Sequence, residues 1–279
     1  MKGAYGKKNY LVATGVTLAL LPLLVFKYHN FINGNIGALL QHFGIANAIP
    51  GLNWAVPVGI SFFSFQAVGY LFDVYYKKIE AEHNIIDYAL FVCFFPQILS
   101  GPISRAPDLL PQIKRERRFD YSKAVEGLKW ILWGMFMKVV MADGLGIYVD
   151  TVYGGYEKYS GLTCAVASVM YTFQIYGDFA GYSFMAMGVA KTLGFDLVNN
   201  FNHPYFSVSI TDFWRRWHIS LSSWLKDYVY IPLGGSRCSR LRNCWNILVT
   251  FLVSGIWHGA NWTFILWGLL HGIAQVFEK

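Results

Sequence analysis

The chain of 279 residues is 55% hydrophobic and 18% aromatic but only 14% charged, against about 25% charged residues in soluble domains. That composition excludes an ordinary soluble enzyme. The net charge of +7 does not point to a nucleic-acid partner either, because most of the basic residues flank apolar runs.

Six apolar runs follow in order: Tyr10 to Phe26, Trp54 to Tyr76, Ile85 to Ile103, Val125 to Val149, Gly161 to Ala190 and Trp245 to Phe277. Each is near or above the roughly 20 residues that a spanning helix needs. Strand-type alternation is absent, which argues against a β-barrel. The expected class is all-α: a polytopic, multi-pass protein of the inner or plasma membrane, in contact with lipid. The four cysteines (Cys93, Cys164, Cys238, Cys244) show neither metal-ligand spacing nor a disulfide framework, so packing is their expected role and no metal site is expected.

Positive charge sets the expected topology. Lys2, Lys7 and Lys8 place the N-terminus in the cytoplasm, and no small-residue cleavage site follows the first run, which is read as a retained helix. It ends at Phe26-Lys27-Tyr28-His29, an expected interfacial anchor. The second run returns to Lys77 and Lys78. If Ile85 to Ile103 then crossed fully, the basic stretch from Arg105 to Lys123 would lie outside, against the rule. Phe95-Pro96-Gln97 and Ser100-Gly101-Pro102 supply breakers for a re-entrant segment lining a cavity instead.

Val125 to Val149 leads out, and Gly161 to Ala190 comes back. At 1.5 Å per residue the latter would extend roughly 45 Å, longer than one untilted span, so a kink is expected at Gly177 and Gly181, beside Gln174 and Asp178. Lys191 to Arg242 is expected to be cytoplasmic. Within it, Asp212 to Leu225 reads as one amphipathic interfacial helix. Trp214, Trp217, His218, Leu221, Trp224 and Leu225 share its apolar face, and Arg215, Arg216, Ser220, Ser223, Lys226 and Asp227 share the other. The last run is interrupted at Trp257-His258-Gly259-Ala260-Asn261, where Gly255 and Gly259 form a small-x-x-x-small pair that admits a neighbouring helix. The chain ends after an apolar segment without a polar tail, as a piece of a longer protein would.

Two histidines therefore fall among buried aromatic and glycine residues. His258 is read either as a hydrogen bond across helices or as a functional group, since an intramembrane ionisable residue is costly and imidazole exchanges protons near neutrality. His218 is read as a packed residue of an aromatic belt or as its partner; His271 is given the structural reading. Arg215 and Arg216 either snorkel to the interface or hold phosphates of a cytoplasmic donor. Asp178 either pairs with a cation such as Lys138 or lines a polar path. The G-x-S-x-G, Walker, Rossmann and HExxH patterns are all missing.

The stretches Asn200-Phe201-Asn202-His203-Pro204-Tyr205-Phe206, Asp212 to Ser222 and Asp227 to Gly235 closely resemble the membrane-bound O-acyltransferase family, in particular its bacterial branch that acetylates alginate and other envelope polysaccharides. Phe94 to Ile103, Phe173 to Ser183 and Gly255 to Ala260 are similar to the same branch. The resemblance implies one transmembrane domain over 1–279, partial because relatives carry further helices on both sides. It implies catalytic roles for His258 and His218; the substrate-binding set expected beside them is Trp214, Arg215, Arg216, Trp217, Trp257, Asn261, Gln174 and Asp178. It implies a donor such as acetyl-coenzyme A or another acyl thioester with no bound cofactor, a polysaccharide acceptor, and a separate extracytoplasmic acyltransferase partner. D-alanyl transfer to teichoic acid is the neighbouring alternative. A transporter or flippase is the alternative from another class, since broken helices and a midplane histidine would also serve passage.

Overall fold

The first apolar run does not stop where its charged anchor predicts. In the computed structural model, which describes residues 2–279 with side chains from residue 8 onward, α1 (Lys2–Leu23) passes through a π-helical turn at Leu24–Tyr28 into α2 (His29–His42). Lys2 and Lys7, used in the topology argument, lie outside the residues whose side chains are described. Pro22 sits inside α1 just before the widened turn; its ring cannot pack over the preceding turn, and a π-bulge is one way a helix absorbs such a misfit. The expected anchor is thus mid-helix, and Lys27 and Tyr28 turn inward. Together these pieces make an apolar helix of 35 residues, Lys8–His42.

Residues 43–58 are not helical, so the second run begins its helix late, at α3 (Ile60–Tyr75). Gly59 precedes it at φ +75°, and a Cβ there would meet the Ile98 carbonyl oxygen at 2.7 Å. The run from Ile85 to Ile103 forms no single helix. It divides into α4 (Ile85–Val92) and the one-turn α5 (Phe95–Ile98), which has Pro96 in its first turn, and an irregular stretch then leads to α6 (Ala106–Ile113).

The next two elements are long. α7 (Tyr121–Met135), a π segment (Phe136–Ala142) and α8 (Asp143–Tyr153) join into 33 residues of apolar helix, and α9 (Gly161–Thr192) runs 32 residues alongside them. The expected kink is corrected here: α9 is unbroken through Gly177 and Gly181. These glycines instead let the backbones meet. A Cβ on Gly134 would lie 2.5 Å from the Gly181 carbonyl oxygen, and one on Gly127 2.6 Å from that of Gly188.

The expected amphipathic helix over 212–225 is two helices, α10 (Ile210–Arg216) and α11 (Ile219–Leu225), followed by a π turn at Lys226–Tyr230. Trp217 is extended and His218 left-handed at φ 44°, so the two halves no longer share one face. The hairpin α12 (Arg240–His258) and α13 (Trp262–Phe277) closes the fold, with its break where the sequence places it. The described residues contain no strand.

Aromatic stacking joins these layers. Trp224 of α11 lies flat on Phe65 of α3 with ring centroids 3.9 Å apart, and its indole Nε1 donates to the Phe65 carbonyl at 3.0 Å. Buried Asp73 accepts from the Tyr228 hydroxyl at 2.6 Å and pairs with Lys78 at 3.0 Å, while Arg105 pairs with Asp227 at 3.0 Å. These bonds fix α3 and the stretch before α6 against the turn that follows α11.

Candidate active site

α12 ends at His258 because Gly259 turns to extended backbone and Asn261 starts α13, its side chain accepting from the Thr263 amide at 3.0 Å. Behind the histidine, Gly255 packs directly on α13: a Cβ there would lie 2.4 Å from the Phe264 carbonyl oxygen and 3.2 Å from the Gly268 Cα. Gly259 packs on the Phe264 ring. The small-residue pair thus does admit a neighbouring helix, the second arm of the same hairpin.

The imidazole of His258 is oriented by one hydrogen bond. Its Nδ1 lies 2.7 Å from the Ser254 carbonyl oxygen, and a carbonyl only accepts, so Nδ1 carries the proton. In the neutral ring the lone pair is then on Nε2. Trp257 and Trp267 hold the ring from two sides, at centroid distances of 5.0 and 4.9 Å.

His218 is oriented by the same logic through a different partner. Its Nδ1 lies 3.1 Å from Oδ1 of buried Asn200. That oxygen also accepts the Ser220 backbone N–H at 3.2 Å and the Ser220 hydroxyl at 2.9 Å, while Asn200 Nδ2 donates to Ser183 at 3.2 Å. The amide N–H can only donate, which fixes the Asn200 side chain and makes His218 Nδ1 the donor. Its Nε2 is buried and meets no polar protein atom among the described residues. The left-handed backbone at His218 is uncommon for a residue with a Cβ and is held here by the Asn200 network; such conformations concentrate at functional sites. Trp257 separates the two histidines, its ring 6.0 Å from that of His218.

Both histidines line a cavity of about 460 Å3, within the usual range for small-molecule sites. It follows α12 from Ile247 to His258, about 16 Å at 1.5 Å per residue. Trp214, Trp217, Leu221 and Phe251 give it apolar walls. Its other end is basic where Lys279 reaches Asn243 near the start of α12 at 3.5 Å, and Arg215 and Lys226 also line the cavity. The cavity is therefore greasy, with three cations and two imidazoles among its lining.

The expected substrate-binding residues separate. Trp214, Arg215 and Trp217 line the cavity with both histidines, and Trp257 buttresses the two imidazoles. Arg216 instead binds Asp212 at 2.9 Å one turn back, and this contact holds the Asp212 carboxyl below the usual carboxylate range. Asn261 caps α13. Gln174 packs against Gly146 of α8. Asp178 pairs with Lys138 at 2.7 Å, and Lys138 also pairs with Asp143 at 2.6 Å; neither Gln174 nor Asp178 reaches the cavity walls. His271 packs on the rings of Trp214 and Trp267.

Asn200 and the Ser254 carbonyl were not legible as site residues. Asn200 lies in a loop, next to another asparagine, and its role exists only once the fold brings it to His218. A helix carbonyl has no signature in the sequence.

The family model for membrane-bound O-acyltransferases matches residues 44–279. The chain is 41% identical to a probable alginate O-acetylase of Azotobacter vinelandii over 265 residues, covering 95% of this chain and 52% of the relative. It is 39% identical to a peptidoglycan O-acetyltransferase of Helicobacter pylori, covering 96% of this chain and 55% of that protein. It is 29% identical to a teichoic acid D-alanyltransferase of Streptococcus thermophilus, covering 94% and 62% respectively. The chain spans about half the length of the curated relatives it matches first.

Proposed function

The chain belongs to the membrane-bound O-acyltransferase family, and we propose that it moves an acetyl group from a cytoplasmic thioester to a hydroxyl destined for an envelope polysaccharide. The observation that carries this reading is the tautomer of His258: Nδ1–H is tied to the Ser254 carbonyl at 2.7 Å, leaving a basic Nε2 on a ring that lines the cavity.

In this mechanism the acceptor hydroxyl approaches the thioester carbonyl and gives its proton to His258 Nε2 as the new C–O bond forms. The tetrahedral intermediate collapses, the C–S bond breaks, and the imidazolium returns its proton to the departing thiolate. General-base catalysis of this kind contributes typically 10²- to 10⁴-fold. Neutral His218 offers an acceptor at Nε2, so it orients a hydroxyl or amide N–H of the substrates. Donation to a developing oxyanion would require its protonated form. Tryptophan and leucine walls keep competing water from the acyl group.

The cations Arg215, Lys226 and Lys279 that line the cavity suit the phosphates of a coenzyme A-type donor. Arg215 and Lys226 belong to the stretch from Lys191 to Arg242 that positive charge assigns to the cytoplasm. The divided segment from α4 to α6 then enters and leaves on that same side, and tags near Lys78 and Arg115 are expected to report one side of the membrane; opposite sides would refute this arrangement. The greater identity to the probable alginate O-acetylase than to the D-alanyltransferase supports polysaccharide acetylation over D-alanyl transfer. An extracytoplasmic acyltransferase partner would complete delivery to the polymer.

The test is to supply membranes containing the full-length protein with radiolabelled acetyl-coenzyme A and follow label into envelope polymer and protein. Wild type is expected to transfer label, and His258→Ala and His258→Gln to lose at least about 100-fold. Label transferred equally well by both variants would sink the assignment of His258, and no histidine-dependent label from any acyl donor, carrier-protein thioesters included, would favour the transporter reading.

A further inference from the structure

Lys27 lies inside an apolar helix of 35 residues, and no carboxylate pairs with it among the described residues. An ammonium at such a position is costly unless polar groups receive it, and it is a functional candidate by default. Its Nζ donates to the Trp257 carbonyl at 2.6 Å and to the Ser61 hydroxyl at 3.0 Å. The next residue does the same to the preceding carbonyl: the Tyr28 hydroxyl donates to Ile256 O at 2.5 Å.

Those two carbonyls belong to the last turn of α12, the turn that ends in His258. A helix end leaves its final carbonyls without backbone donors and carries about half a negative charge. In α12 the backbone supplies only Gly259 N to Gly255 O, at 3.4 Å. A cation and a hydroxyl from another helix satisfy two of the remaining carbonyls. Adjacent side chains of a regular α-helix diverge by about 100°; here Lys27 and Tyr28 sit in the widened π turn, and both reach the same end of α12. Such turns are frequent at functional sites.

We infer that Lys27, assisted by Tyr28, is a positioning residue for His258: the π turn of the first long helix caps the end of α12 and holds the histidine's Nε2 toward the cavity. The inference rests on the acyl-transfer reading above. Lys27 is not among the residues lining the cavity, so its effect reaches the reaction through His258 and spares donor binding.

The experiment compares Lys27→Met, Lys27→Arg, Tyr28→Phe and His258→Ala in the full-length protein, with acetyl-coenzyme A as donor and rates normalised to the folded fraction. Lys27→Met keeps the length of the side chain and removes its charge; kcat is expected to fall by about 100-fold, the scale of a 1 Å misplacement of a reacting group, with the donor KM nearly unchanged. Lys27→Arg restores a cation and is expected to recover about tenfold of that loss. Should Lys27→Met fail to fold, Tyr28→Phe removes a single hydrogen bond and carries the same test with a smaller fall in kcat. A purely structural tie would lower the amount of folded protein and leave kcat per folded molecule at the wild-type value, which would overturn the inference. So would a loss expressed wholly in KM. An inactive His258→Ala beside normal Lys27 and Tyr28 variants removes this proposal alone, whereas an active His258→Ala removes the acyl-transfer reading and this one with it.

Discussion

The α7–α9 pair and the α12–α13 pair are both packed backbone to backbone through glycines, yet they treat the polar groups beside those glycines in opposite ways. Along α9, Gly181 and Gly188 meet Gly134 and Gly127 of α7, both long helices run unbroken, and the neighbouring Asp178 is neutralised by Lys138, which also holds Asp143. In the hairpin, Gly255 meets Gly268, but α12 stops at His258. That histidine has one nitrogen tied to Ser254, and its ring lines a cavity. Close packing is common to the two pairs. The hairpin differs in two features, an interrupted backbone and a polar group whose pairing is left incomplete. Both features are costly inside a membrane, and they persist where the structure around them over-determines the geometry.

The comparison is broken most severely by removing what orients the site's irregular half. Asn200→Ala takes the acceptor from His218 Nδ1, the Ser220 amide and the Ser220 hydroxyl together. Freed from its tautomer and its left-handed backbone, His218 is expected to leave its station. Acyl transfer per folded molecule should fall about 10- to 100-fold. Unchanged kcat with Asn200→Ala would show that the His218 tautomer does not matter to the reaction.

The regular half can be damaged without touching chemistry. Gly181→Leu forces a side chain into the Gly134 carbonyl and the Lys138 backbone, where a Cβ alone would already stand 2.8 and 3.0 Å away. It is expected to destabilise the protein by about 1–3 kcal/mol, seen as a lower unfolding temperature in detergent. The rate per folded molecule should stay near wild type. Gly268→Leu meets the Phe251 carbonyl within 2.5 Å and moves the arm that supports His258, so it is expected to lower stability and rate together. Equal behaviour of the two glycine variants would erase the distinction between the pairs.

This contrast also explains what the sequence discloses. The long apolar runs announce the long helices, and the breakers Pro96, Gly101, Pro102 and Gly259 announce where helices stop. The break at Trp217–His218 carries no proline or glycine; the Asn200 network imposes it from across the fold, so a helical wheel drawn through 212–225 merges two helices into one. The opposite error occurs at Gly177 and Gly181, residues that weaken an isolated helix but here allow α9 to lie against α7 and the π segment that follows it. His258 was legible because an imidazole inside a spanning segment is expensive enough to need a reason, whereas His218 reads equally as a packed residue of an aromatic belt and is singled out by the family resemblance. Lys27 was legible only as a charge at the end of a run. Its partner is the end of a helix 230 residues away, and a main-chain carbonyl has no mark in the sequence.

The two adjacent arginines give the smallest and most discriminating effect. On a wheel the two read alike, as snorkelling cations or as phosphate ligands, but the structure sends Arg215 to the cavity wall and Arg216 back to Asp212, 2.9 Å away on the same helix. The Arg216 pair is partly exposed, and pairs of that kind contribute at most about 1 kcal/mol. Arg216→Ala should therefore leave the donor KM near wild type and only loosen α10. Arg215→Ala removes one of the cavity-lining cations proposed to take the donor phosphates. It is expected to raise the donor KM about tenfold with kcat unchanged, the pattern of an interaction made equally in ground and transition states. Because that contact would join two charges near solvent, the difference between wild type and Arg215→Ala should shrink as salt is raised from low to physiological strength and beyond. A thioester donor without phosphates should show no difference at any salt. If Arg216→Ala raised the donor KM and Arg215→Ala did not, the cations lining this cavity would not be where the donor phosphates bind.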